Sequence, residues 1–167
     1  MTKQAEPQRF EVESIATVVG GHSAPGDDYQ GAVESIIRLH QKYSQETLAG
    51  LQSFSHLVVT WRFHRASPDD VALHLRSPRG NPAWPATGTF AHRNHRRPNQ
   101  LGTSYPRLLK VEGRDLHVTD FDAVDGTPVI DLAPWYPIMG PRGGVFTPDY
   151  VEEMLSRYWA PAAEREH

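Results

Sequence analysis

The nine residues from His56 to His64 constrain this chain more than any others. Leu57, Val59, Trp61 and Phe63 fall on one side of an extended backbone, and His56, Thr60, Arg62 and His64 on the other. A period of two with one wholly apolar face predicts a strand that gives that face to a core and leaves the other open for chemistry. Further strands are expected at Phe10–Val19, closed by Gly20-Gly21, at Ala32–Leu39 and at Val71–Leu75. Arg107–Val111 and Leu116–Phe121 are expected to pair around Glu112-Gly113, with Thr127–Leu132 following the turn Val124-Asp125-Gly126.

Helices are few. Ser44 can cap a short one carrying Leu48, Leu51 and Phe54 on one side, just before the core strand. Near the end, Thr147 as cap and Pro148 at the first helical position open an amphipathic helix with Val151, Met154, Leu155, Tyr158 and Trp159 on its apolar stripe, closed by Pro161. Six or more short strands with two helices predict a mainly β, α+β fold, a small barrel in the simplest case, and argue against a doubly wound parallel sheet. At 167 residues the chain suits one domain, with a core over about 10–137 and a C-terminal extension and helix over 138–160.

Composition removes several chemistries. With no cysteine, the chain has no disulfide, thiolate nucleophile or thiolate metal site. The segment Met1–Phe10 is polar and no apolar run approaches a membrane span, so neither export nor membrane insertion is expected and a cytoplasmic setting is. Phosphate-loop, dinucleotide and nucleophile-elbow motifs are missing, and Gly140–Gly144, interrupted by Pro141, reads as a loop. His92 and His95 could share a helical face, but Arg93, Arg96 and Arg97 around them repel a cation, so no metal site is expected.

Net charge is only −3, but it is unevenly spread. Seven arginines stand between Arg62 and Arg97 against Asp69 and Asp70, whereas six acids stand between Val111 and Asp131 against Arg114. Two readings follow: ordinary surface clustering, or a basic groove for phosphate or an anionic substrate facing an acidic wall for a cation or ribose hydroxyls. The arginine-rich stretch Gly88–Ser104, broken by Pro98, Asn99 and Gly102, suits neither helix nor strand and is expected to be a shaped loop presenting donors.

Three separated segments carry a resemblance. Gly50-Leu51-Gln52-Ser53-Phe54-Ser55-His56-Leu57 runs on to Phe63-His64. Gly88-Thr89-Phe90-Ala91 leads through Arg93 to Arg97-Pro98-Asn99 and Gly102, and Asp122-Ala123-Val124-Asp125-Gly126-Thr127-Pro128-Val129-Ile130-Asp131 precedes Pro134. In this order they resemble the TsaA-like (YaeB-type) family, whose bacterial members are S-adenosylmethionine-dependent tRNA methyltransferases acting on threonylcarbamoyladenosine. The similarity covers about Phe10 to Pro137. It implies one TsaA-like β-barrel domain across 1–167, a homodimer, and a methyl donor bound without a Rossmann sheet.

Carried over residue by residue, the resemblance implies donor contacts at His64, Arg65, Arg93, Thr103, Thr119, Asp120, Phe121 and Asp122. Phe121 would offer adenine an apolar surface, and Asp122 would accept from ribose or ammonium. The acceptor is expected to be a modified tRNA adenosine, with Arg96, Arg97 and Asn99 holding the substrate, or a small anionic metabolite clamped by the same arginines. If a general base is used, Asp125, Asp28 and Tyr29 are the candidates. The sequence departs from the family where Asp27-Asp28-Tyr29-Gln30-Gly31 stands in place of Gln-Pro-Gly, where Asn94 replaces a serine, and where Ala133 replaces a lysine. A non-catalytic S-adenosylmethionine-binding regulatory module is the alternative function.

Overall fold

The computed structural model describes residues 6–166; the start of the expected single domain, 1–5, and its last residue, His167, lie outside the described residues. Seven strands form one antiparallel sheet: β1 (Ala16–Gly20), β2 (Glu34–Leu39), β3 (Leu57–Arg62), β4 (Leu101–Ser104), β5 (Arg107–Glu112), β6 (Asp115–Thr119) and β7 (Pro128–Pro134). Their order is β4-β3-β7-β1-β2-β6-β5. The mainly β expectation therefore holds, but the ladder is open, with β4 and β5 at its two margins. Those margins are consecutive in the chain. A bridge between His56 and Arg107, with Leu57 N–H donating to the Pro106 carbonyl (3.0 Å) and Leu108 N–H to that of Ser55 (2.8 Å), is what ties β5 back to the start of β3.

Alternation drives the burial. Leu57, Val59 and Trp61 of β3 pack with Ala16 and Val18 of β1, Ile37 and Leu39 of β2, Leu116 and Val118 of β6 and Val129 of β7. Each such Leu, Ile or Val side chain removed from water contributes ~1.5–3 kcal/mol. Leu48 and Leu51 close one end from two 3₁₀ turns, Gln45–Leu48 and Leu51–Ser53, the first capped by Ser44. These turns replace the single helix expected there, because Gly50, at φ 88°, breaks it.

Other expectations need correction. β1 begins only at Ala16, leaving Phe10 and Val12 exposed outside the sheet. Val71–Leu75 forms no strand. Ala72 N–H donates to the Arg96 carbonyl, but Leu73 and Leu75 stay in water because the facing segment is irregular and offers no ladder. Conversely, β4 forms inside the stretch expected to be a loop, since Gly102 lets the backbone lie flat on Trp61: a Cβ there would come within 2.5 Å of the indole. The C-terminal helix, α1, is short, Asp149–Leu155. Pro148 is its cap rather than its first residue, and Thr147 does not cap it. Tyr158 and Trp159 lie beyond it, in the segment that bonds to the loop at 29–31.

Candidate functional site

Past Arg62 the core strand runs out of ladder, and its last side chains, with the turn after β6, frame a cleft of about 200 Å³. Trp61, Phe63, Val124 and Pro25 give it apolar walls; His64, Arg65, Asp122 and Thr127 bring the polar groups. Asp122 is partly buried. Its Oδ1 accepts a hydrogen bond from Ser104 Oγ, which itself accepts from Trp61 Nε1 (2.9 Å), and its Oδ2 accepts from Tyr158 Oη (2.5 Å). Burial and the Asp122 charge push the Tyr158 phenol well above its ordinary range, opposed by Arg93 and Arg79 nearby, so it remains a donor.

On the opposite wall, Arg65 is aimed by two carbonyls, donating to Ser23 (2.6 Å) and to Asp125 (3.4 Å). His64 Nδ1 lies 3.2 Å from Thr127 Oγ1. Partial burial, then the Arg65 charge, lower the pKa of His64, with Asp125 opposing, so the ring is neutral at neutral pH. Asp125 also fixes the loop: its Oδ1 accepts from Gly20 N–H (2.8 Å) and its N–H donates to the His22 carbonyl (2.8 Å). An apolar slot carrying one held carboxylate, an aimed guanidinium and a neutral imidazole can seat a flat ring, bond hydroxyls or an ammonium group, and favour a positive charge.

The structure brings together His64, Arg65 and Asp122 on this cleft, with Asp125 behind Arg65. Arg93 is close by but donates to the Thr103 carbonyl (2.8 Å), which fixes both. Thr119 ends β6, paired with Glu34 and Arg107. Asp120, at φ 56°, holds Ala32 N–H at 2.9 Å and serves as a loop anchor. Phe121 is a correction. Its side chain, expected to offer an apolar surface, is 1% exposed in the core, edge-on to Trp61 with ring centroids 6.5 Å apart, and does not line the cleft.

Asp28 and Tyr29 lie apart from the cleft. Asp28 receives both Arg79 guanidinium nitrogens at 3.0 Å, and Tyr29 Oη accepts from Arg157 (3.2 Å) beside a shallow groove with Ala160 and Glu164. Of the proposed substrate residues, Arg97 is consumed by the Asn94 and Leu101 carbonyls, while Arg96 and Asn99 are exposed. Sequence reasoning missed Ser104, which sat in the presumed loop, and Tyr158, which counted as one member of an apolar stripe. It also missed Asp70 and His95 on the cleft wall, the latter edge-on to Phe63 at 6.1 Å.

Comparison with known proteins gives the family. Residues 23–140 match the family described as the tRNA-methyltransferase O N-terminal domain. A protein of Methanothermobacter thermautotrophicus named "Probable S-adenosyl-L-methionine-binding protein" is 34% identical over 113 residues, 68% of this chain and 77% of its own. The mouse tRNA (adenine(37)-N6)-methyltransferase is 36% identical over 91 residues, 54% of this chain; the match spans only 21% of the mouse protein's length. The crystal structure of TrmO from Pseudomonas aeruginosa superposes with a TM-score of 0.69 at 24% identity, covering 88% of this chain and 64% of that one, a likeness of fold. With the family match extending over the core strand, the arginine stretch and the Asp122–Asp131 segment alike, the chain belongs to the tRNA-methyltransferase O N-terminal domain family.

Proposed function

We propose that this protein is an S-adenosylmethionine-dependent methyltransferase acting on a tRNA adenine, with the donor held in the cleft between His64-Arg65 and Asp122. The observation that carries the reading is the cleft's composition in a chain of this family: an aromatic wall from Trp61 and Phe63 beside a carboxylate held from two sides. Bound there, the donor supplies a methyl group activated by its positive sulfonium. The protein's part is to orient and to exclude water, and positioning of this kind supplies on the order of 7–11 kcal/mol in well-oriented reactions. Asp122 accepts hydrogen bonds from ribose or ammonium, Trp61 and Phe63 cover the apolar ring, and Arg65 is fixed in advance by its two carbonyls.

Among the base candidates, Asp125 adjoins the cleft through Arg65, whereas Asp28 is held by Arg79, so Asp125 takes that role if a base is used. Exposed Arg96 and Asn99 meet tRNA phosphate. Support for the acceptor is the mouse relative's name, and nothing favours a small metabolite. The same reading carries a cytoplasmic setting, a sheet curled towards a barrel by the Arg107 bridge, and a homodimer through the exposed Tyr136, Ile138 and Met139 next to the edge-on Tyr105–Trp135 pair.

The test is a calorimetric titration with S-adenosylmethionine followed by methyl transfer to bulk tRNA lacking the modification. Donor binding weakened roughly 10- to 100-fold by Asp122→Ala, with tRNA labelling that falls steeply with salt, is expected. The second reading, a regulatory module that binds the donor without turnover, draws on the Methanothermobacter relative's name. Tight donor binding with no labelling of any tRNA would favour it, and no donor binding would exclude both.

A further inference from the structure

The family match ends at residue 140, yet the chain beyond it reaches back into the site. After α1 the backbone from Arg157 to Ala162 lies along the loop at 29–31. Tyr29 N–H donates to the Arg157 carbonyl (3.0 Å), Gln30 N–H to that of Tyr158 (2.7 Å) and Gly31 N–H to that of Ala160 (3.2 Å), while Ala162 N–H returns a bond to Gly31 (3.3 Å). Seating this strap requires a glycine, because a Cβ on Gly31 would lie 2.1 Å from the Trp159 carbonyl oxygen. Tyr29 and Ala32, flanking the seat, hold φ of 62° and 57°, conformations that non-glycine residues keep only when their surroundings impose them. Farther back, Trp84 Nε1 donates to Glu153 (3.1 Å) and its ring stacks on Tyr150 at 6.2 Å, anchoring α1.

The strap delivers one side chain to the site's carboxylate. Tyr158 does not line the cleft, whereas Asp122 does, so the phenol approaches Asp122 from behind rather than filling the ligand's place. With Ser104 on Oδ1 and Tyr158 on Oδ2, the carboxylate plane is fixed at both oxygens.

We infer that Tyr158, carried by the C-terminal strap, is a positioning residue that presets Asp122 for the methyl donor. The inference rests on the reading of Asp122 as a donor contact. It makes the segment after residue 140 part of the site without touching the ligand.

A double-mutant cycle in the full chain tests it, with S-adenosylmethionine affinity measured by calorimetry for the parent, Tyr158→Phe, Asp122→Asn and the double variant. The expected result is a loss of roughly 3- to 10-fold in Tyr158→Phe, a larger loss in Asp122→Asn, and less than twofold further loss when the two are combined. Equal losses from Tyr158→Phe in both backgrounds would mean a merely structural role and overturn the inference. So would unchanged affinity in Tyr158→Phe while Asp122→Asn binds weakly, an outcome that leaves the donor site standing. Unchanged affinity in Asp122→Asn overturns the assignment of Asp122 and this inference with it. Gly31→Ala provides a second route: it lifts the strap and is expected to weaken binding at least as much as Tyr158→Phe while melting stays cooperative. Parent-like affinity in Gly31→Ala, with hydrogen exchange at Gln30 accelerated to show the strap released, would contradict the proposal.

Discussion

From Leu57 to Arg62 the chain pairs with β7 over Leu57–Trp61 and with β4 over Val59–Arg62, and buries Leu57 and Val59 completely. From Phe63 to Gln100, directly after it, there is no strand and no α-helix, but short turns, several of them 3₁₀, and one bridge, between Arg76 and Thr87. That second stretch is held instead by polar side chains gripping backbone. Arg76 donates to the Ala72 carbonyl and to Asn94, Gln100 to Ser67, Ser77 to Trp84, Thr89 to Arg96 and Arg97 to Leu101. One region is specified by apolar area and the other by donors fixed to carbonyls. The arginines that make the second region look like a phosphate groove are therefore divided between staples and free charges. Counting them overstates what remains for a substrate.

The contrast can be broken at several points. Leu116→Ala, at a fully buried position of the sheet, is expected to lower unfolding stability by ~2–5 kcal/mol in denaturant titration. Arg97→Ala withdraws a staple and leaves two partly buried carbonyls unpaired, with an expected cost of ~1–3 kcal/mol. A stability change as large as that of Leu116→Ala would erase the distinction between the two regions. Arg96→Ala, by contrast, removes an exposed charge that crowds Arg76, and should move stability by no more than ~0.5 kcal/mol while lowering the salt slope of tRNA binding by about one.

The smallest effect is a pH dependence at His64. Because its folded pKa is depressed, the folded state binds fewer protons than the unfolded state as pH falls through the ordinary imidazole range. Its contribution is present above that range and lost below it. His64→Asn should flatten the acid side of the stability profile slightly, and an unchanged profile would mean that His64 is not held neutral.

Much of the sheet was legible because β2, β3 and β6 obey the period of two, whereas β5 carries a register shift between Leu108 and Lys110 and was marked by its Glu112-Gly113 turn. Val71–Leu75 carries the same apolar spacing and fails, since strand formation needs a partner that lies elsewhere in the chain. β4 was hidden by arginines and prolines around it, and only the approach of Gly102 to Trp61 makes room for it. Of the site, the motif residues Asp122, His64 and Arg65 were readable, and Phe121 was readable as a residue but not as a core one. That Asp28 and Tyr29 lie off the cleft was not readable, because a loop's neighbours are set by tertiary packing, here by Arg79 and Arg157. Tyr158 was invisible as a polar group, since a phenol and an apolar ring share one place in a hydrophobic stripe.

Pro106 has a consequence for how the molecule avoids its own kind. It lies between β4 and β5, is fully buried and has no N–H to offer. The chain after β4 thus keeps to the side of β3, with Arg107 bridging His56, which shortens the run of unsatisfied backbone groups at the β5 margin on which a second chain could template itself into an aggregate.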